Sequence, residues 1–333
     1  MSAPISHSEH LDYRIRNQIF NYTEKMIEHT QSFRSAAFFS IETSSLISFM
    51  LQVFSIGELT IRGLGLIGSS DRQLGKAMLK KASIKTLGIP LDVLNLIIGP
   101  FVIAFDSNPK FHILYGKEYT KVDLDHAERG TIDNEDHQRE SQEAFGRAKK
   151  VKSRRESTAP DYQIRNNPTS ISHSERLDYH IQHQIFNYIN EITEPGQRLR
   201  PPAFLALGVS NTTFFILRVF AVGELTIRGL GLIYSSDRPL GKAMLKRVPI
   251  QFLQATAGLA ASTIVNSYRI IKEPKGYILN NLEQTQIDIQ HAETGTFDRE
   301  NYQSALQAAR NRAAEKLREW QSNLLHHELN RYI

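Results

Sequence analysis

The sequence predicts a mainly α-helical protein built from two copies of one helical module, and three observations support this. The first is a repeat: Ile5–Tyr22 recurs as Ile171–Tyr188 with 14 of 18 positions identical, and Val53–Lys81 recurs as Val219–Arg247 with 24 of 29. Both pairs have the same offset along the chain, as expected for tandem modules. The second is helical spacing of apolar residues, and the third is a set of helix-capping sequences.

The two copies differ most in the segment between the matching blocks. Thr23–Gln52 and Ile189–Arg218 agree at only 8 of 30 positions, although both stay largely apolar. Such divergence is typical of a core, where volume and polarity matter more than identity. The two matching blocks therefore either perform the module's special task or hold its most constrained packing, and recent gene conversion would leave the same pattern.

Domain boundaries follow from the repeat. Residues 1–148 form the first helical module, 149–170 a basic and polar linker, and 171–333 the second module with a long C-terminal helix. The linker begins with a run of lysines and arginines and continues with polar and proline residues, which is typical of a flexible joint.

Each module begins with a predicted capped helix. Ser6 with Glu9, and Ser172 with Glu175, form the S-x-x-E pattern in which serine and glutamate satisfy each other's free amides. Apolar residues then recur at helical spacing: these are Leu11, Ile15, Ile19 and Tyr22, and in the second copy Leu177, Ile181, Ile185 and Tyr188.

A mostly apolar second helix is predicted over Ala36–Ile56 and Ala203–Val222, followed by a glycine-rich block. Glycines at 57, 63 and 65 disfavour an isolated helix, so we expect an internal elbow or a close helix crossing there. Glu58 and Arg62 are four residues apart, as are Glu224 and Arg228, and should form a salt bridge on a helix.

A short basic helix is predicted next, capped by Asp71 or Asp237. Its cations fall at i, i+4 and i+8, which puts them on one face; they are Arg72, Lys76 and Lys80, and Arg238, Lys242 and Lys246. Such a face can meet an anionic membrane surface or an acidic protein partner, or it can simply be solvated. With Glu58, Arg62, Glu224 and Arg228, these residues form the candidate interaction surface.

The apolar segments are marginal as membrane spans, which need about 20 nearly uncharged residues. Glu42 interrupts Phe38–Ile56, Arg218 interrupts its counterpart, Asp92 interrupts Ile89–Phe105, and Phe252–Val265 is short. We therefore expect buried helices of a soluble, cytoplasmic protein without a classical signal peptide. The alternative is a membrane-associated protein, inserted or peripheral, which uses 36–105 and 203–265.

The sequence offers little catalytic chemistry. Without cysteine, thiolate nucleophiles and cysteine metal sites are excluded. Gly75-Lys76 is followed by alanine, so it is not a phosphate loop. His126 and His291 each lie near carboxylates, but we interpret both segments as ordinary helix ends capped by Gly130 or Gly295. We predict no catalytic residue, cofactor or metal.

The leading function hypothesis is a non-enzymatic interaction or scaffold protein that contacts partners through its basic helices and its C-terminal helix. No nucleic acid is expected because 40 basic residues are nearly balanced by 35 acidic ones. Oligomers could form along the apolar positions of the last helix, namely Leu306, Ala309, Ala313, Leu317, Trp320 and Leu324. The least favoured alternative is a metal-dependent enzyme using His126 and His291, with His126 and Asp133 as its metal pair.

Overall fold

A computed structural model of the 333-residue chain divides into two compact units, 1–166 and 167–333. It describes residues 5–29, 33–67, 71–105, 109–132, 135–157, 172–193, 199–234, 238–294 and 299–329. Within these ranges, the structure describes only the helical backbone at 26–29, 33–38, 90–105, 109, 154–157, 227–228, 231, 234, 299–300 and 325–329. The described elements are all helical, which confirms the mainly α prediction.

The described residues of the first unit form five helices: α1 (His7–His29), α2 (Phe33–Ile67), α3 (Arg72–Phe105), α4 (Pro109–Arg129) and α5 (Glu135–Ser157). They pack side by side in the order α3, α2, α1, α4, α5. Leu11, Ile15 and Ile19 of α1 are fully buried, as their helical spacing predicts. Because α1 lies in the middle of this layer, it packs against α2 on one side and α4 on the other.

The second unit contains α6 (His173–Ile192), α7 (Arg200–Tyr234), α8 (Arg238–Leu253), α9 (Leu259–Lys272), α10 (Pro274–Thr294) and α11 (Arg299–Leu329). A π-helical turn, Gln254–Gly258, joins α8 to α9, and Pro249 lies inside α8. The central helix here is α6, between α7 and α10, and α8 and α9 pack on the other side of α7.

The glycine-rich block does not interrupt its helix, contrary to the expectation of an elbow. Helix α2 runs on to Ile67 and α7 to Tyr234, so that α2 and α3, and α7 and α8, form helical hairpins. The predicted short basic helix is the first part of the 34-residue α3, and it also continues through the predicted apolar segment. Residues 122–124 and 287–289 alternate apolar and polar side chains as a short strand would, but both segments are helical.

Close approach of two backbones explains the glycines that face the partner helix. A side chain on Gly75 would lie 2.7 Å from the Gly63 carbonyl oxygen, and one on Gly241 would lie 2.6 Å from that of Gly229. Gly57, in contrast, is exposed with no other atom within reach. The predicted close crossing is therefore present in both hairpins, at the 63/75 and 229/241 pairs.

The predicted linker has two parts. Residues 149–157 continue α5 to its end, so the basic run is helical in this structure. Residues 158–170 lie outside the described residues.

Candidate functional site

Glu58 holds the N-terminus of α1. Its carboxylate accepts hydrogen bonds from the His7 amide at 2.9 Å and from the Ser8 amide and hydroxyl, both at 3.1 Å. Arg62 donates to the same carboxylate at 3.0 Å, which confirms the predicted i, i+4 pair. Since the first amides of a helix lack intrahelical partners, Glu58 acts as a cap supplied by another helix.

Glu224 does the same for α6. It accepts from the His173 amide at 2.9 Å, the Ser174 amide at 3.1 Å and the Ser174 hydroxyl at 3.0 Å. The side chain of Arg228 lies outside the described residues. The serine–glutamate capping box predicted for this helix is also present, between Ser172 and Glu175.

These contacts join the two blocks of matching sequence. In the first unit, Ser6 and Ser55 share a 2.8 Å hydrogen bond between hydroxyls, and Lys81 lies 3.1 Å from Glu9. Ile5–Tyr22 and Val53–Lys81 therefore form one contact surface, although the variable segment lies between them in the sequence. Packing therefore explains why these two blocks match the corresponding blocks of the second unit in sequence.

A buried ionic cluster lies behind this contact in the first unit. The Glu9 carboxylate forms ion pairs with the Nζ atoms of Lys81 and Lys85 from α3, each at 3.1 Å. Asp12 receives Arg16 at 3.3 Å, and Arg16 also reaches Asp123 of α4 at 3.1 Å. A carboxylate buried in this way needs such partners to remain charged.

The second unit builds its cluster around Arg218, which is 5% exposed. This guanidinium contacts Glu175 at 3.1 Å and Asp178 at 3.3 Å, and it donates to the Gln251 side chain at 2.7 Å. Arg247 also reaches Glu175, at 2.7 Å. In the sequence, Arg218 interrupts an apolar segment; in the structure, it is the internal counterion of Glu175 and Asp178.

Burial shifts several acid pKa values in these clusters. Desolvation raises the pKa of Asp12 and Asp178 despite their arginine partners. For Glu9, burial is outweighed by Lys85, the Ser6 amide and Lys81, so its pKa falls. Desolvation raises the pKa of Asp288 to about 6, and the Tyr302 hydroxyl that donates to it only partly opposes this.

The predicted basic faces are exposed on both hairpins. Arg72, Lys76 and Lys80, like Arg238, Lys242 and Lys246, are solvent-exposed and form no ion pair with a described residue. They lie at the start of α3 and α8, next to the glycine crossings.

The predicted cap of the first basic face is present. The Asp71 carboxylate accepts a hydrogen bond from the Leu74 amide at 3.3 Å, so it satisfies one of the free donors at the start of α3. Asp237, the predicted cap of α8, lies outside the described residues.

Large apolar side chains are exposed along the same hairpins. Of the 18 exposed large hydrophobic residues in the described parts, Phe145 of α5 is the sole one outside α2, α3 and α7–α9. The α8–α9 segment is the extreme case, with Phe252 61% and Ile264 73% exposed. A helix that is apolar all round is stable only in nonpolar surroundings. In the described part of this structure, nothing nonpolar covers these exposed side chains of α8 and α9.

The uncharged segment of α8 and α9 is longer than the predicted apolar stretch Phe252–Val265. Between Arg247 and Arg269 stand 21 uncharged residues, 248–268, or about 31 Å of helix. By length and composition, three helical segments in the described part of the chain could cross a membrane: Phe39–Ile67, Arg200–Thr226 and Arg238–Lys272. In the most apolar part of each segment, the buried share is 28%, 44% and 11%, in that order.

Polar residues inside this segment are bonded within the hairpin. Asn211 of α7 donates to the Thr263 hydroxyl of α9 at 2.8 Å. The hydroxyls of Thr256 and Thr263 donate to backbone carbonyls of the preceding turn, at 3.0 and 2.8 Å. Bonding of this kind lets polar residues stand in a nonpolar environment.

The opposite side of the second unit is highly charged. Helix α11 buries Ala309 and Ala313 against α10, and its outer positions include exposed Arg310, Glu315 and Arg318. The unit is therefore amphipathic as a whole, with an apolar hairpin at one edge and a charged helix at the other.

The histidine segments are occupied by local contacts. Gly130 ends α4 with a positive φ of 67°, as its capping role predicts, and the His126 ring bonds the Thr131 hydroxyl at 2.8 Å. His291 stacks edge-on against Tyr302. No group of three potential metal ligands occurs among the described residues, and Asp133 and Gly295 lie outside them.

Comparison with protein-family models, curated proteins and solved structures gives no match to this chain. Function must therefore be argued from the surfaces themselves. Two features of this region are absent from the sequence predictions. The uncharged stretch 248–268 could have been found from its flanking arginines. The ion pairs of Lys85 with Glu9 and of Arg218 with Glu175 join different helices, so no local sequence pattern predicts them.

Proposed function

We propose that this is a membrane-associated protein whose apolar hairpins embed in one leaflet of a bilayer. The observation that carries the proposal is the α8–α9 segment, whose apolar window is 11% buried while its large side chains project into solvent. Fully burying one such side chain is favourable by about 1.5–3 kcal/mol. Leaving this many exposed would be a strong disadvantage without a nonpolar covering.

One-sided embedding agrees with the packing better than a complete crossing does. Helix α6 packs along α7 on one side and along α10 on the other, with contacts that run from Ser174–Glu224 to Lys275–Thr193. Helix α11 is antiparallel to α10, as its Tyr302–Asp288 and Arg312–Glu283 contacts require. If α9 crossed the bilayer, the charged face of α11 would stand at the same depth, which is costly.

The dimensions also suit a single leaflet. A helix with its side chains is about 10–12 Å wide, and half of the hydrocarbon core is about 15 Å thick. An immersed α8–α9 would put Arg269 and Lys272 at the end of its uncharged stretch, where long cationic side chains can reach headgroups. Lys272 already lies over the Tyr268 ring at 4.7 Å.

Single-cysteine labelling tests the topology, because the natural chain has no cysteine. Lys242→Cys and Lys272→Cys mark the two ends of α8–α9, both at exposed positions. When each variant is bound to sealed phosphatidylcholine vesicles, a membrane-impermeant maleimide added outside should label both. Protection of one of the two would contradict one-sided embedding and support a crossing.

Fluorescence quenching tests the depth. Trp320 of α11, the one tryptophan in the chain, should resist quenching by acyl-brominated lipid. A Phe252→Trp variant that also carries Trp320→Phe should be strongly quenched. If the protein floats with vesicles but this tryptophan is not quenched, another surface makes the contact.

A second candidate is the interaction or scaffold protein suggested by the sequence. It is favoured by a partly exposed stripe of α2, where Met50, Val53, Gly57 and Leu64 recur at coiled-coil spacing. Contact through the C-terminal helix has less support, since Ala309 and Ala313 pack on α10 within their own unit. Cytoplasmic localisation would suit both candidates. In the membrane proposal, the embedded leaflet would face the cytoplasm.

We also propose that the chain is a tandem duplication at an offset of 166. The cap that Glu58 provides to Ser8 is matched by Glu224 with Ser174, each number being 166 higher. The backbone crossing of Gly63 and Gly75 is likewise matched by Gly229 and Gly241. A metal-dependent enzyme using His126 and His291 has no comparable support.

A further inference from the structure

The basic faces continue into apolar residues that neither unit buries. From Arg72 the face of α3 runs through Lys76 and Lys80 to Ile84 and Leu87, at spacings of four, four, four and three residues. Such spacing keeps the five side chains on one side of a helix. The face changes from cationic near the hairpin turn to apolar farther along, and we call it the basic–apolar stripe.

The same stripe occurs on α8. Arg238, Lys242 and Lys246 are followed by Ile250 and Leu253 at identical spacing. The four apolar members are 60%, 79%, 54% and 63% exposed at Ile84, Leu87, Ile250 and Leu253. Side chains this exposed contribute little to the core of either unit.

The surrounding sequence shows that this match is selective. Between 82–89 and 248–255 the copies agree at two positions only, and these are Ile84/Ile250 and Leu87/Leu253. The other six positions changed, both less exposed ones, as in Ala82 to Val248, and exposed ones, as in Thr86 to Phe252. Because the exposed apolar pair is the part that the copies share, its role concerns a surface rather than internal packing.

We propose that each basic–apolar stripe is a membrane anchor that selects anionic phospholipid, an inference that rests on the embedding proposed above. Three cations in a row match a layer of phosphate-bearing headgroups, and the isoleucine and leucine match the acyl region just below it. An acidic protein would suit the cations but leave the apolar pair in water. The stripe therefore extends the predicted basic face by two residues and sets the lipid class.

The test compares vesicles of pure phosphatidylcholine with vesicles in which about one lipid in three is phosphatidylglycerol, using the full chain. Wild type should bind the anionic vesicles more tightly, and added salt should remove the difference. Lys242→Gln with Lys246→Gln should weaken binding to anionic vesicles about 25-fold, or about fivefold per charge, and leave binding to neutral vesicles unchanged.

The matched control is Lys149→Gln with Lys150→Gln, two exposed lysines on α5, which should leave both affinities within about twofold. Ile250→Ser with Leu253→Ser should weaken binding to both vesicle types, by about tenfold per residue. Circular dichroism checks that each variant keeps its helix content.

The outcomes separate the two proposals. Absence of binding to either vesicle type overturns the embedding itself. Equal affinity for both vesicle types, or equal losses from the α5 control, overturns lipid selection while embedding stands. Release of bound protein by millimolar inorganic phosphate at constant ionic strength would show a phosphate pocket, and this also overturns the proposed anchor.

Discussion

In the first unit, the second cation on the buried glutamate comes from α3, as Lys85 on Glu9; in the second unit it comes from α7, as Arg218 on Glu175. The positions exchange character, since Lys85 corresponds to Gln251 and Arg218 to Gln52 in the repeat. The cluster keeps its function of neutralising a buried carboxylate, while the helix that supplies the charge changes. Charge balance at the site therefore constrains these units more than the identity of any one residue.

Arg218→Gln should give the largest effect. It leaves Glu175 and Asp178 buried without their shared guanidinium, which should lower the free energy of unfolding of the second unit by about 3–5 kcal/mol. Hydrogen exchange of α6 measures this within the whole chain. Gln52→Ala, at the corresponding position, should cost less than about 1 kcal/mol. The same Arg218→Gln change can be made in a Glu175→Gln/Asp178→Asn background. An equally large loss of stability there would show that the loss does not come from unpaired carboxylates.

Asp288→Asn probes how the clusters differ in pH dependence. With a folded-state pKa of about 6 against 3.8 for the free group, Asp288 holds its proton more tightly when folded. The stability from this is complete below pH 4 and is lost as pH rises through 6. The variant should therefore be more stable than wild type by about 3 kcal/mol at pH 7 and equal at pH 4.

The pH profile of α10 hydrogen exchange provides the measurement. The counterpart Asp123 instead has Arg16 at 3.1 Å and His137 at 3.0 Å, so Asp123→Asn should destabilise the first unit at pH 7. Stabilisation in both units would contradict the assigned difference.

Gly75→Ala and Gly241→Ala should behave alike, because the backbone crossing is the same in both units. Each added methyl lies within 3 Å of the facing helix, and we expect a loss of about 1–3 kcal/mol in either unit. Gly57→Ala and Gly223→Ala meet no atom and should stabilise by about 0.5–1 kcal/mol through helix propensity. Denaturation midpoints measure both series, and unequal losses at 75 and 241 would separate the two crossings.

Lys85→Gln should give the smallest loss among the ion-pair variants and the sharpest comparison. Glu9 keeps Lys81, and Lys85 is partly exposed, so the loss should be about 1 kcal/mol. Adding Gln52→Arg should restore stability, because this reproduces the arrangement of the second unit. A double-mutant cycle without favourable coupling would show that the two arrangements are not interchangeable.

Much of the fold could be predicted from local sequence. Ser172 and Glu175 fixed a helix start, Leu11, Ile15 and Ile19 fixed a buried face, and Glu58 with Arg62 fixed an ion pair. These signals act within a few turns of one helix. They explain why the predicted elements are present.

The continuity of α2 could not be predicted, because its glycines are disfavoured in isolation and are accommodated by the facing helix. Nor could the exposure of Phe252 and Ile264, since composition cannot distinguish a helix buried by protein from one that is left uncovered. The role of Arg218 could not be predicted for a related reason: its counterions come from another helix, α6, which local sequence does not reveal.

The caps that Glu58 and Glu224 place on a neighbouring helix have a consequence for inheritance. A change in Ser8 alone removes a donor from Glu58, and a change in Glu58 alone leaves two helix amides unsatisfied. The fold should therefore tolerate replacement of both segments together better than replacement of either segment alone. Exchanging α1 for α6 together with its partner stretch should therefore give a viable hybrid, because the exchanged interface carries both halves of its own recognition.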